Sequence, residues 1–392
     1  MKALIFGGGK IARGFIGHLL HLSGATIVFV DVNAALIEAM RRRGKYRVHI
    51  MGAAHKSIDI SGFRGYELSD VQAIAGEWAE ADMAFTAVGG KNLSALGQVL
   101  AAAFCKRCDL APWVRPFNIV TCENWKEPAC LLAEAIRSRL PSEYEGLFDR
   151  WVGVTEAVVM RSAVEPTEDM LADDPLCVNV QDFWDLPVDR DRWKGGLPAI
   201  EGVRFIEQFA GFLERKFYTY NAANGTVSYL GYLRKHRYIC EAASDPEIME
   251  VLDCVYEETS RALALKHNVQ LQEQLRFADS SKKKLQDSNI IDYVERNARD
   301  PIRKLGPHDR LVGSARLVQA SGAAPEGLAV AIAAALFYDE PTDSGAIELK
   351  ALRESAGIDA ILRDVCSIAE DDPLALLIKN KVEWLRTKRW IQ

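Results

Sequence analysis

The glycine run at residues 7–9 constrains this chain more than any other feature. Ala3 to Phe6 is a short apolar stretch, Gly7-Gly8-Gly9 follows at once, and from Ile11 to Leu22 the pattern is helical. The segment from Gly7 to Ala12 fits G-x-G-x-x-A between a strand and a helix. Each position answers a physical demand. Gly7 permits the tight turn, Gly9 lets backbone approach a pyrophosphate, and Ala12 lets helix pack closely on strand. The helix N-terminus then offers free N–H groups and the positive end of its dipole to phosphate. A second β-rich run, Thr26 to Val30, ends in Asp31. A carboxylate there accepts hydrogen bonds from both ribose hydroxyls and repels a 2′-phosphate. Because strand, turn, helix, strand and acid fall in register, the pattern predicts a dinucleotide site. Gly7, Gly9, Ala12 and Asp31 would lie on the cofactor, with NAD preferred to NADP. The alternative is a glycine-rich turn in which Asp31 only caps a helix.

Strand-like and helical stretches go on alternating after this unit. Ala34 to Arg43 reads as a helix; Tyr46 to Met51, Ser57 to Ile60, Met83 to Val88, Phe117 to Thr121 and Val152 to Val159 read as strands. That alternation predicts βαβ units around a parallel sheet. From about Gly202 apolar residues recur at helical spacing, as in Ile248, Val251, Leu252 and Val255, and Leu328 to Phe337 is apolar throughout, as a buried helix would be. The fold class is therefore α/β, with a Rossmann-type domain over residues 1–195 and a mainly α-helical domain over 196–392. The join falls where Lys194, Gly195, Gly196 and Pro198 interrupt any regular element.

Length and charge narrow the function. A chain of 392 residues can bury a sizeable core. A net charge of −6 argues against wrapping nucleic acid. No apolar run approaches the ~18 residues of a membrane helix, and the N-terminus lacks a signal peptide's pattern. Eight scattered cysteines predict reduced thiols and a cytoplasmic protein, and Cys105 and Cys108 read as ordinary helix residues rather than a metal or redox pair. Ser280 to Lys284 reads as a solvated helix start. The histidines at 18, 21, 49, 55, 267 and 308 show no useful spacing; His18 and His21 are expected at the surface or core edge.

Several segments carry a resemblance. MKALIFGGGKIARGFIGHLL, TAVG at Thr86 to Gly89, NIVTCEN at Asn118 to Asn124 and ERKFYTYNAANGTVSYLG at Glu214 to Gly231 resemble the polyol-specific long-chain dehydrogenases, the mannitol dehydrogenase family. RDPIRKLGPHDRL, Arg299 to Leu311, is similar to a block of its mannitol-phosphate branch. The resemblance runs from Met1 to about Phe337. It implies a Rossmann-type domain, a helical domain, a site in the cleft between them and no catalytic metal. It also puts Val88 on the cofactor, makes Lys216 the catalytic lysine, and makes Asn221 and Asn124 the two asparagines of the site.

This chemistry makes sense of those residue types. Oxidising a secondary alcohol needs a base for the hydroxyl proton and donors for the developing alkoxide, while hydride leaves to the nicotinamide. A desolvated lysine and two amides supply both without a metal. The bland alternative for Lys216 is a solvated lysine on a helix. Two positions depart from the family: Asn224 stands at the signature histidine, and Met160 stands at an aspartate whose neighbour, Arg161, is kept on the substrate side. An amide donates and accepts but carries no charge. Arg303 and Lys304 can fork onto a phosphate or carboxylate, or can belong to a surface ion-pair cluster with Arg299, Arg310, Asp300 and Asp309. His236 reads as structural. The expected protein is a monomer or small homo-oligomer acting on a small polyol or sugar phosphate, most simply mannitol 1-phosphate and fructose 6-phosphate. The other readings are a hexuronate reductase or free-polyol dehydrogenase, or an NAD-binding protein that has lost its chemistry.

Overall fold

A computed structural model describes residues 1–52 and 56–391; His55 lies outside these. The chain divides into two compact units, Met1–Phe209 and Ala210–Gln392. In chain order the strands are β1 (Lys2–Phe6), β2 (Thr26–Asp31), β3 (Lys45–Met51), β4 (Lys56–Ser61), β5 (Arg64–Glu67), β6 (Met83–Thr86), β7 (Phe117–Thr121), β8 (Val152–Glu156), β9 (Ala163–Val164), β10 (Val178–Gln181), β11 (Leu186–Asp189) and β12 (Val203–Ile206). All belong to the first unit.

Six of them form one sheet in the order β5-β2-β1-β6-β7-β8, with every pairing parallel. Counted within the sheet this is the order 3-2-1-4-5-6, the expected Rossmann arrangement. Its direction of winding reverses between β1 and β6, which leaves a crevice at their carboxyl ends. The strands are apolar on both faces because both faces are covered. Ala3 and Ile5 point into a layer with Phe15 and Leu19, and Leu4 and Phe6 into the opposite layer with Ile74, Leu96 and Phe104.

Residues 45–61 depart from the sequence expectation. Rather than adding to the parallel sheet, β3 and β4 form an antiparallel pair within a second sheet of order β4-β3-β10-β9. The connection between them is far shorter than the dozen or more residues a parallel crossover needs. The last expected strand also ends early, at Glu156. There Ala157 bridges Val188, and Val158 N–H donates to Pro187 O at 2.9 Å, drawing the chain off the sheet.

The helix that follows Gly9 begins with a π turn, Ala12–Ile16, and continues as α-helix over Gly17–Leu22. A π turn shifts the bonding register by one residue, so carbonyls around it need outside donors. Here the Tyr46 hydroxyl donates to Arg13 O and the Arg161 guanidinium to Gly14 O, each at 3.0 Å.

The second unit is helical. Its core gathers around the helix Glu326–Ala335, buried at every position from Gly327 to Ala335, with Pro246–His267 and Ala222–Leu233 packed against it. A second π turn, Phe217–Asn221, joins the helix Phe209–Lys216 to Ala222–Leu233.

Candidate active site

The carboxyl edge of the parallel sheet collects the first set of residues. Gly7 has φ +102°, and a Cβ on it would lie 2.5 Å from Ala87 O, so the β1 turn passes against the end of β6 as only glycine allows. A Cβ on Gly9 would meet nothing within 4 Å, so its exposed backbone faces open space. Ala12 is fully buried under the helix. Asp31, at the end of β2, accepts from Gly8 N–H and, at 2.7 Å, from Asn33 N–H. Asn33, not Asp31, caps the next helix through Leu36 N–H. The carboxylate is thus tied to the glycine turn itself, and each oxygen keeps a lone pair for a further donor. These features fit a dinucleotide: amides at a helix start, a turn with room beside it and a fixed acid.

Val88 and Asn124 lie on this edge, beyond β6 and β7. Between them sits Glu123, which the sequence reading passed over. Its buried carboxylate accepts from the Thr86 hydroxyl at 2.7 and 2.9 Å and from Val88 N–H at 3.0 Å. Burial pushes this carboxyl above its ordinary range, and the three bonds oppose that push. The result is a clamp that ties the chain after β7 to the Val88 loop, with Asn124 exposed at the next position. The hint in sequence was an acid two residues past the strand Phe117–Thr121.

The second set lies in the second unit. Lys216, Asn221 and Asn224 occupy one stretch of helix around the π turn. In a regular α-helix residues five apart point ~140° away from one another; a turn closed by i→i+5 bonds brings them nearly onto one face. The π turn therefore aligns Lys216 with Asn221. Burial, and then the charge of Arg310, pulls the Lys216 ammonium below its ordinary value. Lys284 adds to the positive field: burial first, then Lys216, brings it down to about 8. Ser280–Lys284 is accordingly no solvated helix start. It is the last turn of the helix Leu271–Leu285, whose buried positions Gln274, Ala278 and Ser281 follow helical spacing that could have been read from Leu285 backwards. Asn224 donates from Nδ2 to Asn297 Oδ1 at 3.1 Å.

Other expected residues are placed elsewhere. Arg303 and Lys304 do not form a fork. Arg303 is exposed and paired with Asp300 and Asp309, as the ion-pair alternative has it. Lys304 points the other way, is 5% exposed, and donates to Asn297 O. Burial first, then Arg310 and Arg303, lowers its ammonium to about 8. Arg310, the cation of the block that acts on both Lys216 and Lys304, was not singled out by sequence. Arg161 is 2% exposed and gives its donors to Gln181 O at 2.8 Å, Gly14 O, and His18 Nδ1 at 3.0 Å, so this guanidinium is held inside the first unit against the π turn. Met160 is buried beside it. His18 is fully buried, not at the surface, and packs edge-on to Trp184. His236 bonds Asp245 at 2.9 Å. Among the described residues no group of three or more His, Cys, Asp or Glu side chains is placed to hold a metal ion, and no helix is long and apolar enough to cross a membrane.

Comparison with known proteins covers the whole chain. The mannitol dehydrogenase Rossmann domain profile matches residues 1–202, and the mannitol dehydrogenase C-terminal domain profile matches residues 208–384. The chain is 34% identical to the mannitol-1-phosphate 5-dehydrogenase of Brevibacillus brevis, covering 100% of this chain and 99% of that one. It is 32% identical to that of Geobacillus thermodenitrificans, covering 99% and 100%. Among solved structures, a substrate-free D-sorbitol dehydrogenase superposes with a TM-score of 0.80 at 15% identity over 99% of this chain and 93% of that one. Pseudomonas fluorescens mannitol 2-dehydrogenase, in a ternary complex with NAD and D-mannitol, gives 0.66 at 15% identity over 100% and 92%. The two structures establish the shared fold.

Proposed function

Because the chain belongs to the mannitol dehydrogenase family, we propose that it interconverts a polyol or polyol phosphate and the matching ketose with NAD as cofactor, most simply mannitol 1-phosphate and fructose 6-phosphate. The observation that carries this reading is the π turn that lines up Lys216 with Asn221 in a chain whose full-length relatives bear that name. Bound NAD would accept a hydride from the carbinol carbon. Its pyrophosphate would rest on the Gly7–Ala12 turn, Asp31 would take the ribose hydroxyls, and Val88 would border it. Val32, 78% exposed directly after Asp31, offers apolar surface for the adenine.

The protein's own groups manage the proton and the developing charge. Lys216, its ammonium pulled below its ordinary value by burial and then by Arg310, takes the hydroxyl proton at Nζ, while the Asn221 amide donates to the oxygen as it gains charge. The family resemblance makes Asn124 the second amide. In the reverse direction the same ammonium returns the proton. For a phosphorylated substrate the cation to consider is Arg310, paired with Asp309 alone among the described residues, since Arg303 is engaged by two aspartates and the buried Lys304 ammonium is held by the Asn297 carbonyl.

The test is NADH consumption over fructose 6-phosphate, fructose and hexuronates, repeated with NADPH. Turnover of fructose 6-phosphate with preference for NADH supports the reading. Turnover of a hexuronate or free ketose alone moves the substrate to the second reading, which Asn224 and Met160 favour, and preference for NADPH removes Asp31 from the ribose.

A further inference from the structure

One amide in the second unit has its polarity set by its neighbours. Asn297 donates both Nδ2 hydrogens, to Asp292 Oδ1 at 2.6 Å and to Tyr293 O at 3.0 Å. A backbone carbonyl cannot donate, so Asn297 cannot turn its amide over without losing that bond. Its Oδ1 must therefore face Asn224, and Asn224 must present Nδ2 to it, as it does at 3.1 Å. That leaves Asn224 Oδ1 on the far side, and no donor reaches it among the described residues. The network is anchored at both ends. Arg296 bonds Asp292 at 3.0 Å, and the buried Lys304 ammonium donates to the Asn297 carbonyl.

We infer that Asn297 is a positioning residue that fixes Asn224 as a hydrogen-bond acceptor, so that Asn224 selects a substrate hydroxyl which donates to its Oδ1. This rests on the proposed function only in placing Asn224 on the substrate. At the position where the family resemblance expects an imidazole, this chain holds a neutral acceptor of fixed direction. An oxygen that can only receive at this point rejects an analogue lacking the hydroxyl, because the acceptor is then left without a partner.

Two measurements test it. In protein labelled with 15N-asparagine, the Asn224 side-chain amide protons should exchange slowly in the wild type. They should exchange at least ~10-fold faster in Asn297→Ala, as expected for loss of one hydrogen bond of about 1.5 kcal/mol. Equal exchange in the two proteins overturns the inference whatever the enzyme turns over. Kinetically, Asn224→Ala and Asn297→Ala should each lower kcat/KM by ~10- to 100-fold, mostly through KM, with NADH affinity unchanged. The double variant should lose no more than either single one, as residues acting as a unit do. Additive losses, or a loss of NADH affinity, would make Asn297 merely structural. If the wild type reduces no ketose yet the exchange difference holds, the proposed function fails and the polarity of Asn224 stands.

Discussion

The two π turns invite comparison. The first, Ala12–Ile16, is closed from outside: Tyr46 and Arg161 reach across from other elements and take Arg13 O and Gly14 O, and all five of its residues are buried. The second, Phe217–Asn221, is supported from behind through the buried Thr219, whose hydroxyl accepts from Gln274 at 2.9 Å, while Lys216 and Asn221 on its flank are only partly buried. The same local distortion thus serves opposite ends. In the first unit it lets a helix fit between two sheets with its N-terminus fixed; in the second it turns Lys216 and Asn221 nearly onto one face.

This contrast can be broken at its strongest point with Lys216→Ala. The variant should lose ~10²- to 10⁴-fold in kcat, the range for a general base, while thermal unfolding and NADH affinity stay near wild type. A variant keeping more than about a tenth of wild-type kcat would take Lys216 out of the chemistry, well outside that range. In the wild type, oxidation should speed up as pH rises through the lowered value of Lys216, since the neutral amine is the base. Next in size, Asn221→Ala should lower kcat by ~10²- to 10³-fold, as loss of one oxyanion donor does. If KM alone changes, the second turn binds substrate and does not stabilise the alkoxide.

Around the first turn the expected effects are on stability. His18 is held to about 4, against an ordinary 6.5, by burial first and then by Arg161. Between those two values the unfolded chain binds a proton that the folded one refuses. Its contribution is therefore complete above about pH 6.5 and is lost as pH falls toward 4. Its full size is about 3 kcal/mol. Denaturant unfolding of wild type and His18→Gln over this range should show a flatter acid limb in the variant; parallel limbs would mean that His18 takes up its proton without unfolding. The smallest effect is that of Tyr46→Phe, which removes the donor to Arg13 O. It should cost about 1 kcal/mol of stability and raise the Kd for NADH, with kcat unchanged. A fall in kcat would erase the distinction between the two turns.

What could be read in the sequence follows the same division. The cofactor half was legible because its signals are contiguous: one turn, one strand end and one acid within the first 31 residues. Ala34–Arg43 and Phe117–Thr121 fall where periodicity puts them. The substrate half was legible only as far as motif resemblance reached. Lys216 and Asn221 were named from the motif, but the turn that aligns them leaves no mark in the pattern of apolar residues. Arg161 and Lys304 show a second limit. A charged residue in a motif reads as available, yet each is buried and donates to protein carbonyls, which depends on packing between segments far apart in the chain. Asn297 had no signal at all, because its importance lies in what its neighbours can and cannot donate.

The pairing of β10 with β3 has a consequence for how the chain comes to be folded. Val178–Gln181 lies in parallel register with Val48–Met51, so the small sheet is completed by residues that leave the ribosome some 130 positions after their partners. Until then β3 has a bare edge of hydrogen-bonding groups, an invitation to wrong partners, and closing so long a loop is slow. Shortened chains that stop before Val178 should be prone to aggregate, and those that run past Ile206 should remain in solution. The last strands of the first unit would then set the moment during synthesis at which the glycine turn first gains a fixed helix behind it.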